Sequence, residues 1–175
     1  MAINEQDIAN IVRNVLKGME TETPAAKKTA AAPKLNGIFE TPEEAIAAAK
    51  AAQKEIQPMP LEFREKIIAN IRKKTLENAK MLSELAVEET GMGNVGHKII
   101  KHQLVAEKTP GTEDLTTIAW SGDRGLTLTE MGPWGVIGAV CPSTNPTCTV
   151  ICNSIGMLAA GNAVVFMPHP SAKNC

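Results

Sequence analysis

Apolar residues follow three patterns along the chain, and each predicts a different kind of element. Near the start, Ile8, Ile11, Val12, Val15, Leu16 and Met19 recur at three- and four-residue spacing, with Asp7, Asn10, Arg13, Asn14 and Lys17 between them. This stripe predicts an amphipathic helix over residues 1–19, capped by Asn4 and ended at Gly18. Such a helix needs a partner for its apolar side, because isolated peptides of ~12–15 residues are only marginally helical in water. Residues 20–36, ETETPAAKKTAAAPKLN, hold almost nothing to bury and read as a flexible linker. A sticky helix on a tether points to docking onto another protein; the alternative is that it folds back on its own domain.

Helical spacing returns at Thr41-Pro-Glu-Glu44, which combines a cap, a proline for the first turn and early acidic residues. The helix is expected to run to Ile56, where Gln57-Pro-Met-Pro60 breaks it. Leu61 to Asn78 and Ala79 to Thr90 read as two helical stretches or one bent one, burying Ile67, Ile68, Ile71, Met81, Leu82, Leu85 and Ala86. Another helix is predicted over Val95–Lys108, closed by Thr109-Pro-Gly111.

The pattern then switches to period two. Leu115–Trp120 and Gly125–Glu130 are rich in Thr and apolar residues, with Ser121-Gly-Asp-Arg124 between them, and predict a β-hairpin over 115–130. Standing outside the main sheet, its edges call for cover from a second subunit, hence an oligomer. The third pattern, from Met131 to Pro170, is a pair of short chargeless runs, Gly135–Cys141 and Ala163–Met167, flanking an apolar helix from Thr147 to Ala160. This is the order of a βαβ unit, and both strands are expected to be buried on both faces of a parallel sheet, with the helix inside the domain. Ligands in such sheets gather outside the carboxyl ends of the strands, so the chemistry is expected on Pro142–Asn145 and Pro168–Pro170. The fold class is therefore α/β.

Composition removes several function classes. A net charge of −1 gives no electrostatic case for nucleic acid or an anionic membrane surface. The absence of Tyr and an aromatic share of 3% argue against a base-stacking platform. No apolar run approaches a membrane span, and no secretory signal opens the chain, so a cytoplasmic location is expected. Cys141, Cys148 and Cys152 fall in the apolar βαβ unit, where free thiols pack as small hydrophobes; Cys148 and Cys152 lack a second ligand pair for a metal. Gly91-Met-Gly-Asn-Val-Gly96 matches the dinucleotide fingerprint in letters only, because a charged helix precedes it instead of a strand; a helix stop and tight connection is expected. His97 and His102 flank the next helix at no metal-binding spacing and read as exposed or capping, while Glu113 and Asp114 have no partner carboxylate. Asn145 can donate its amide to an oxyanion beside a helix start, or cap that helix; the residues alone favour the cap.

Taken together, Pro-Trp-Gly-Val-Ile-Gly138, Pro142-Ser-Thr-Asn-Pro146 and Ala159-Ala-Gly-Asn-Ala-Val-Val-Phe-Met-Pro-His-Pro170 resemble the CoA-acylating aldehyde dehydrogenases of bacterial microcompartments. Glu89-Thr-Gly-Met-Gly93, Thr109-Pro-Gly111 and Glu113-Asp-Leu115 fit the same family, so the resemblance runs from Gly37 onward. The acetaldehyde branch of ethanolamine utilization looks nearer than the propionaldehyde branch of propanediol utilization. The resemblance implies the N-terminal part of the aldehyde dehydrogenase fold: helices, a hairpin arm and the start of a Rossmann-like sheet. It divides the chain into a docking (encapsulation) helix over 1–19 that meets a shell protein, a linker over 20–36 and an incomplete NAD- and CoA-binding domain over 37–175. It further implies oxidation of a short aldehyde, acetaldehyde first, to an acyl-CoA with NAD, inside a microcompartment lumen and in a homo-oligomer joined through 115–130. By the same resemblance Asn145 is the oxyanion-hole asparagine, Pro142, Ser143 and Thr144 line the cofactor cleft, and Pro168, His169 and Pro170 lie at the adenosine end of NAD or CoA. Met167 departs from the superfamily's frequent ribose-binding lysine. No cysteine here matches the family's nucleophile, which implies a fragment inactive alone; a non-catalytic docking module is the competing reading.

Overall fold

The computed structural model describes residues 37–175, so the predicted docking helix (1–19) and linker (20–36) lie outside the described residues. Helix α1 (Pro42–Ile56) starts as its sequence demands: the Thr41 hydroxyl accepts the Glu44 N–H at 3.3 Å, and Pro42 takes the first helical position, where no N–H partner exists. Helix α2 (Leu61–Thr90) is one unbroken run of 30 residues. It stops at Gly91, whose left-handed backbone (φ 64°) lets its N–H reach the Val87 carbonyl at 2.9 Å. Its buried side is Ile68, Thr75, Ala79, Ser83 and Ala86. Met81 and Leu85, expected inside, are 50% and 41% exposed. Small residues at 79, 83 and 86 let helix α3 (Val95–Lys108) approach closely, which turns the neighbouring large side chains outward.

The hairpin is shorter than the pattern predicts. Strands β1 (Ile118–Gly122) and β2 (Gly125–Thr129) pair antiparallel from Ile118↔Thr129 to Gly122↔Gly125, leaving Asp123-Arg124 as a two-residue loop. Every residue of both strands is exposed.

Strand β3 (Val136–Val140), helix α4 (Pro146–Ala159) and strand β4 (Ala163–Met167) form the expected parallel βαβ unit, in register from Val136↔Ala163 to Val140↔Met167. Asn162 starts the ladder. Its buried side-chain oxygen accepts the N–H groups of Trp134 and Gly135 at 2.6 and 3.0 Å. The strands are not buried on both faces as expected, for Val140 is 75% exposed; α1 and α4 pack on the pair, but two strands leave their edges and the far end of β3 uncovered. Nor is α4 wholly inside. Cys148, Ile155 and Ala159 are buried while Val150, Cys152 and Gly156 face out, so Cys152 is not a core thiol. The hydrophobic centre is Ile68 of α2 against Ile155 and Ala159 of α4, with Ile71, Leu115 and Ile151 packed around them. Arg64 closes the same contact by donating to the Ala159 carbonyl at 2.6 Å, a cation at the negative end of α4.

Because Ile155 is fully buried in this cluster, Ile155→Ala is expected to lower the unfolding free energy by about 3 kcal/mol. Urea unfolding of the two proteins measures it. A loss below about 1 kcal/mol would place the stabilising core elsewhere.

Candidate functional site

Parallel register brings the carboxyl ends of β3 and β4 together. The Cys141 N–H donates to the Met167 carbonyl at 2.9 Å, so Pro142–Asn145 and Pro168–Pro170 leave the sheet side by side at one edge. This is the position at which open α/β sheets hold ligands. Pro142, Thr144, Pro168, His169 and Pro170 are exposed, and Ser143 and Asn145 are half-buried.

Helix α3 holds the first of these segments. Lys98, 6% exposed, donates its ammonium to the Thr144 carbonyl at 3.0 Å. Its stem runs beneath Gly93 (φ 84°), where an added Cβ would lie 3.3 Å from Lys98 Cε. One turn on, Lys101 Nζ is 3.2 Å from Asn145 Oδ1. Asn145 does occupy the cap position of α4 and its carbonyl accepts the Thr149 N–H at 3.1 Å, yet its side chain makes no capping bond. The amide that the residues alone assigned to the cap is therefore turned away from the helix and toward Lys101.

His102 is the third contact and the largest departure from the sequence reading. It is wholly buried in mid-helix, neither exposed nor capping; the cap of α3 is Asn94, whose side chain accepts the N–H of the exposed His97. His102 Nδ1 lies 2.8 Å from the Lys98 carbonyl and 3.1 Å from Ser83 Oγ, and Nε2 lies 2.9 Å from Thr147 Oγ1. A carbonyl only accepts, so the network assigns the proton to Nδ1 and makes Nε2 the acceptor of the Thr147 hydroxyl. Burial, with Lys98 adding repulsion and the Lys98 carbonyl opposing, holds the imidazole pKa below its usual value and keeps the ring neutral.

The second segment is tied down from α2. His169 Nδ1 accepts the Ser171 N–H at 3.1 Å, starting a short 3-10 turn over Pro170–Ala172. Beyond it the Glu89 carboxylate accepts the N–H groups of Lys173, Asn174 and Cys175 at 2.7 to 3.1 Å and the Asn174 side-chain amide at 2.8 Å. Burial alone would raise this carboxyl pKa; the hydrogen bonds outweigh it and hold the group below its ordinary range. Between α3 and α4 an open groove of about 310 Å³ is lined by Lys101, Leu104, Val105, Asn145, Cys148, Thr149, Cys152 and Asn153.

Three of the thiols are held away from the reactive thiolate form. Burial pushes Cys141 and Cys148 up, and burial with the adjacent Glu89 carboxylate pushes Cys175 up to about 11. Among the described residues no cluster of His, Cys, Asp or Glu can hold a metal, and Glu113 pairs with Arg72 at 2.8 Å as a structural bridge. No helix of the described residues is long and apolar enough to cross a membrane. Sequence reasoning missed Lys98, Lys101 and Glu89. The first two share a face of α3 with His102, at the three- and four-residue spacing that also marks an ordinary solvated face.

A parallel βαβ unit with a polar turn and a proline-bounded loop on one rim is the α/β arrangement in which open sheets commonly carry ligands. The model of the aldehyde dehydrogenase family matches residues 12–175, and the chain belongs to that family. It is 52% identical over 179 residues to an acetylating acetaldehyde dehydrogenase of Bilophila wadsworthia, a match covering 99% of this chain and 37% of the relative. Among solved structures, the propionaldehyde dehydrogenase from the fucose-utilisation bacterial microcompartment of Clostridium phytofermentans is 69% identical, with a TM-score of 0.75 over 78% of this chain and 31% of that one. A Rhodopseudomonas palustris propionaldehyde dehydrogenase with bound propionyl-CoA is 55% identical, with a TM-score of 0.77 over 79% and 31%. The chain thus spans about a third of the length of these relatives, and its fold is the N-terminal portion of the aldehyde dehydrogenase fold.

A neutral buried His102 gives this site a pH signature. Its folded pKa is depressed, so the unfolded chain binds the extra proton; the contribution is intact above the unfolded value of about 6.5 and is lost as pH falls through the folded one. Urea unfolding between pH 7.5 and 5 is expected to show a steeper acid-side loss for the wild type than for His102→Gln. Equal slopes would show that the ring is not held neutral.

Proposed function

We propose that this chain forms the nucleotide-binding part of a CoA-acylating aldehyde dehydrogenase that converts a two- or three-carbon aldehyde to its acyl-CoA. The observation that carries this is the Asn145 amide at the carboxyl edge of a parallel sheet. Its oxygen is engaged by Lys101 and its Nδ2 makes no hydrogen bond to the described residues. In the proposed reaction a cysteine thiolate adds to the aldehyde carbon, and the resulting oxyanion accepts a hydrogen bond from Asn145 Nδ2. Bound NAD supplies the hydride acceptor. Loss of hydride leaves a thioester, and the CoA thiol takes the acyl group and returns the cysteine. Pro142, Ser143 and Thr144 form the wall of the cofactor cleft, and Pro168, His169 and Pro170 receive the adenosine end of NAD or CoA. Their shared edge supports that assignment.

The nucleophile comes from a domain beyond residue 175, a reading supported by the raised thiol pKa values here and by relatives about three times as long. The aldehyde follows the relatives, one an acetaldehyde enzyme and two propionaldehyde enzymes, which widens the acetaldehyde expectation to both. The hairpin of β1 and β2, exposed along its whole length with Trp120, Leu126 and Leu128 outward, is the proposed homo-oligomer contact. Residues 1–19 are the proposed dock to a microcompartment shell protein, which would place the enzyme in that lumen within the cytoplasm.

Titrating NAD into the 15N-labelled chain is expected to shift the amides of residues 143–145, 169 and 171–173, while the same chain with aldehyde, NAD and CoA forms no acyl-CoA. Tryptophan fluorescence would be a poor readout, because Trp134 precedes β3 and stands at the opposite end of the sheet. Acyl-CoA formation, or shifts confined to other surfaces, would overturn the reading. Deleting residues 1–19 is expected to abolish association with shell protein and leave the unfolding midpoint unchanged; a deleted chain that still associates would remove the docking role.

A further inference from the structure

We propose that Lys101 is a positioning residue that fixes which end of the Asn145 amide faces the crevice, and that it adds positive potential there. The inference rests on the reading of Asn145 as the oxyanion donor. An ammonium has only protons to offer, so the atom of Asn145 that meets Lys101 at 3.2 Å must be the oxygen. The NH2 group then points the other way, with its protons free of the described residues. Two neighbours keep this from being a chance meeting of surface side chains. Lys98 holds the Thr144 carbonyl on one side, and His102 holds the Thr147 hydroxyl on the other. Both are buried, so the separation between α3 and the turn is set before Lys101 makes its contact.

The charges point the same way. Lys98 and Lys101 both sit at the N-terminus of α4, the positive end of that helix, where a cation is unfavourable and an anion is favoured. Neither lysine forms an ion pair with an acidic side chain among the described residues. Holding the turn in place accounts for Lys98 and leaves the second cation, Lys101, unexplained. A turn beside which negative charge develops on an oxygen gains from every part of it: two ammonium groups, the helix N-terminus and the amide protons.

The test has two arms. In the chain with 15N-labelled asparagine, Lys101→Met is expected to shift and broaden the side-chain NH2 pair that Asn145→Ala removes, while Lys101→Arg keeps it near the wild-type position. In the complete enzyme with its cysteine-bearing domain, Asn145→Ala is expected to lower kcat by about 10²–10³-fold and Lys101→Met by about tenfold, with KM for NAD unchanged. The double variant is expected to be slower than Asn145→Ala by clearly less than the roughly tenfold that Lys101→Met costs alone, because most of the effect of Lys101 passes through the amide and only its direct potential remains. If Asn145→Ala slows the enzyme but Lys101→Met alters neither kcat nor the NH2 resonance, the positioning role is overturned and the oxyanion reading stands. If Asn145→Ala leaves kcat unchanged, the oxyanion reading itself falls.

Discussion

The register of β3 on β4 is the constraint on which the candidate site depends, and the side chain of Asn162 sets it. The Asn162 oxygen takes two consecutive N–H groups at the start of β3, while its own N–H reaches back to the Met157 carbonyl at 2.9 Å as α4 ends. One residue thus terminates the helix and aligns the strands on either side of it. Gly161 makes this possible by turning the chain with φ 80°, which a side chain would resist. A slip of one residue would exchange the faces of both strands and carry the 142–145 turn away from the 168–170 loop. With register held, two segments separated by α4 in sequence emerge together.

Helices α2 and α3 then fix those segments from outside the sheet. Helix α3 grips the turn through Lys98 and Lys101 and the first turn of α4 through His102, and Glu89 near the end of α2 gathers the backbone N–H groups of residues 173–175. Because Ser83 of α2 touches His102 of α3, the two supports are joined to each other as well as to the rim. The turn and the loop are consequently held by contacts within the protein, which is the condition that the proposed electrostatic role of Asn145 requires.

Local chemistry made much of this legible in the sequence. The Thr41 cap, the Gly91 stop and the two strands around α4 each follow from residues within a few positions of one another, and so does the shared edge of the candidate site. What escaped was whatever depends on distant neighbours. The continuity of α2 was obscured because its buried stripe drifts: Ile68 faces α4, whereas Ala79, Ser83 and Ala86 face α3, and a drifting stripe looks like two helices. The burial of His102 and Lys98 could not be read because their partners stand 19, 45 and 46 residues away. The outward side of α4 escaped for the same reason, since apolar spacing does not say how many neighbours are present.

Gly93 shows how a letter pattern and a physical need can coincide for different guests. In a dinucleotide fingerprint the bare backbone admits a pyrophosphate. Here the same bareness admits the methylenes of the chain's own Lys98, on their way to the Thr144 carbonyl. Position 93 is therefore tied to position 98: a methyl group at the first would strain the backbone at φ 84° and press on the lysine stem that reaches the 142–145 turn, although residue 93 itself lies on another loop. The false fingerprint is a lodging for an internal tenant, and its glycine serves the site from a distance.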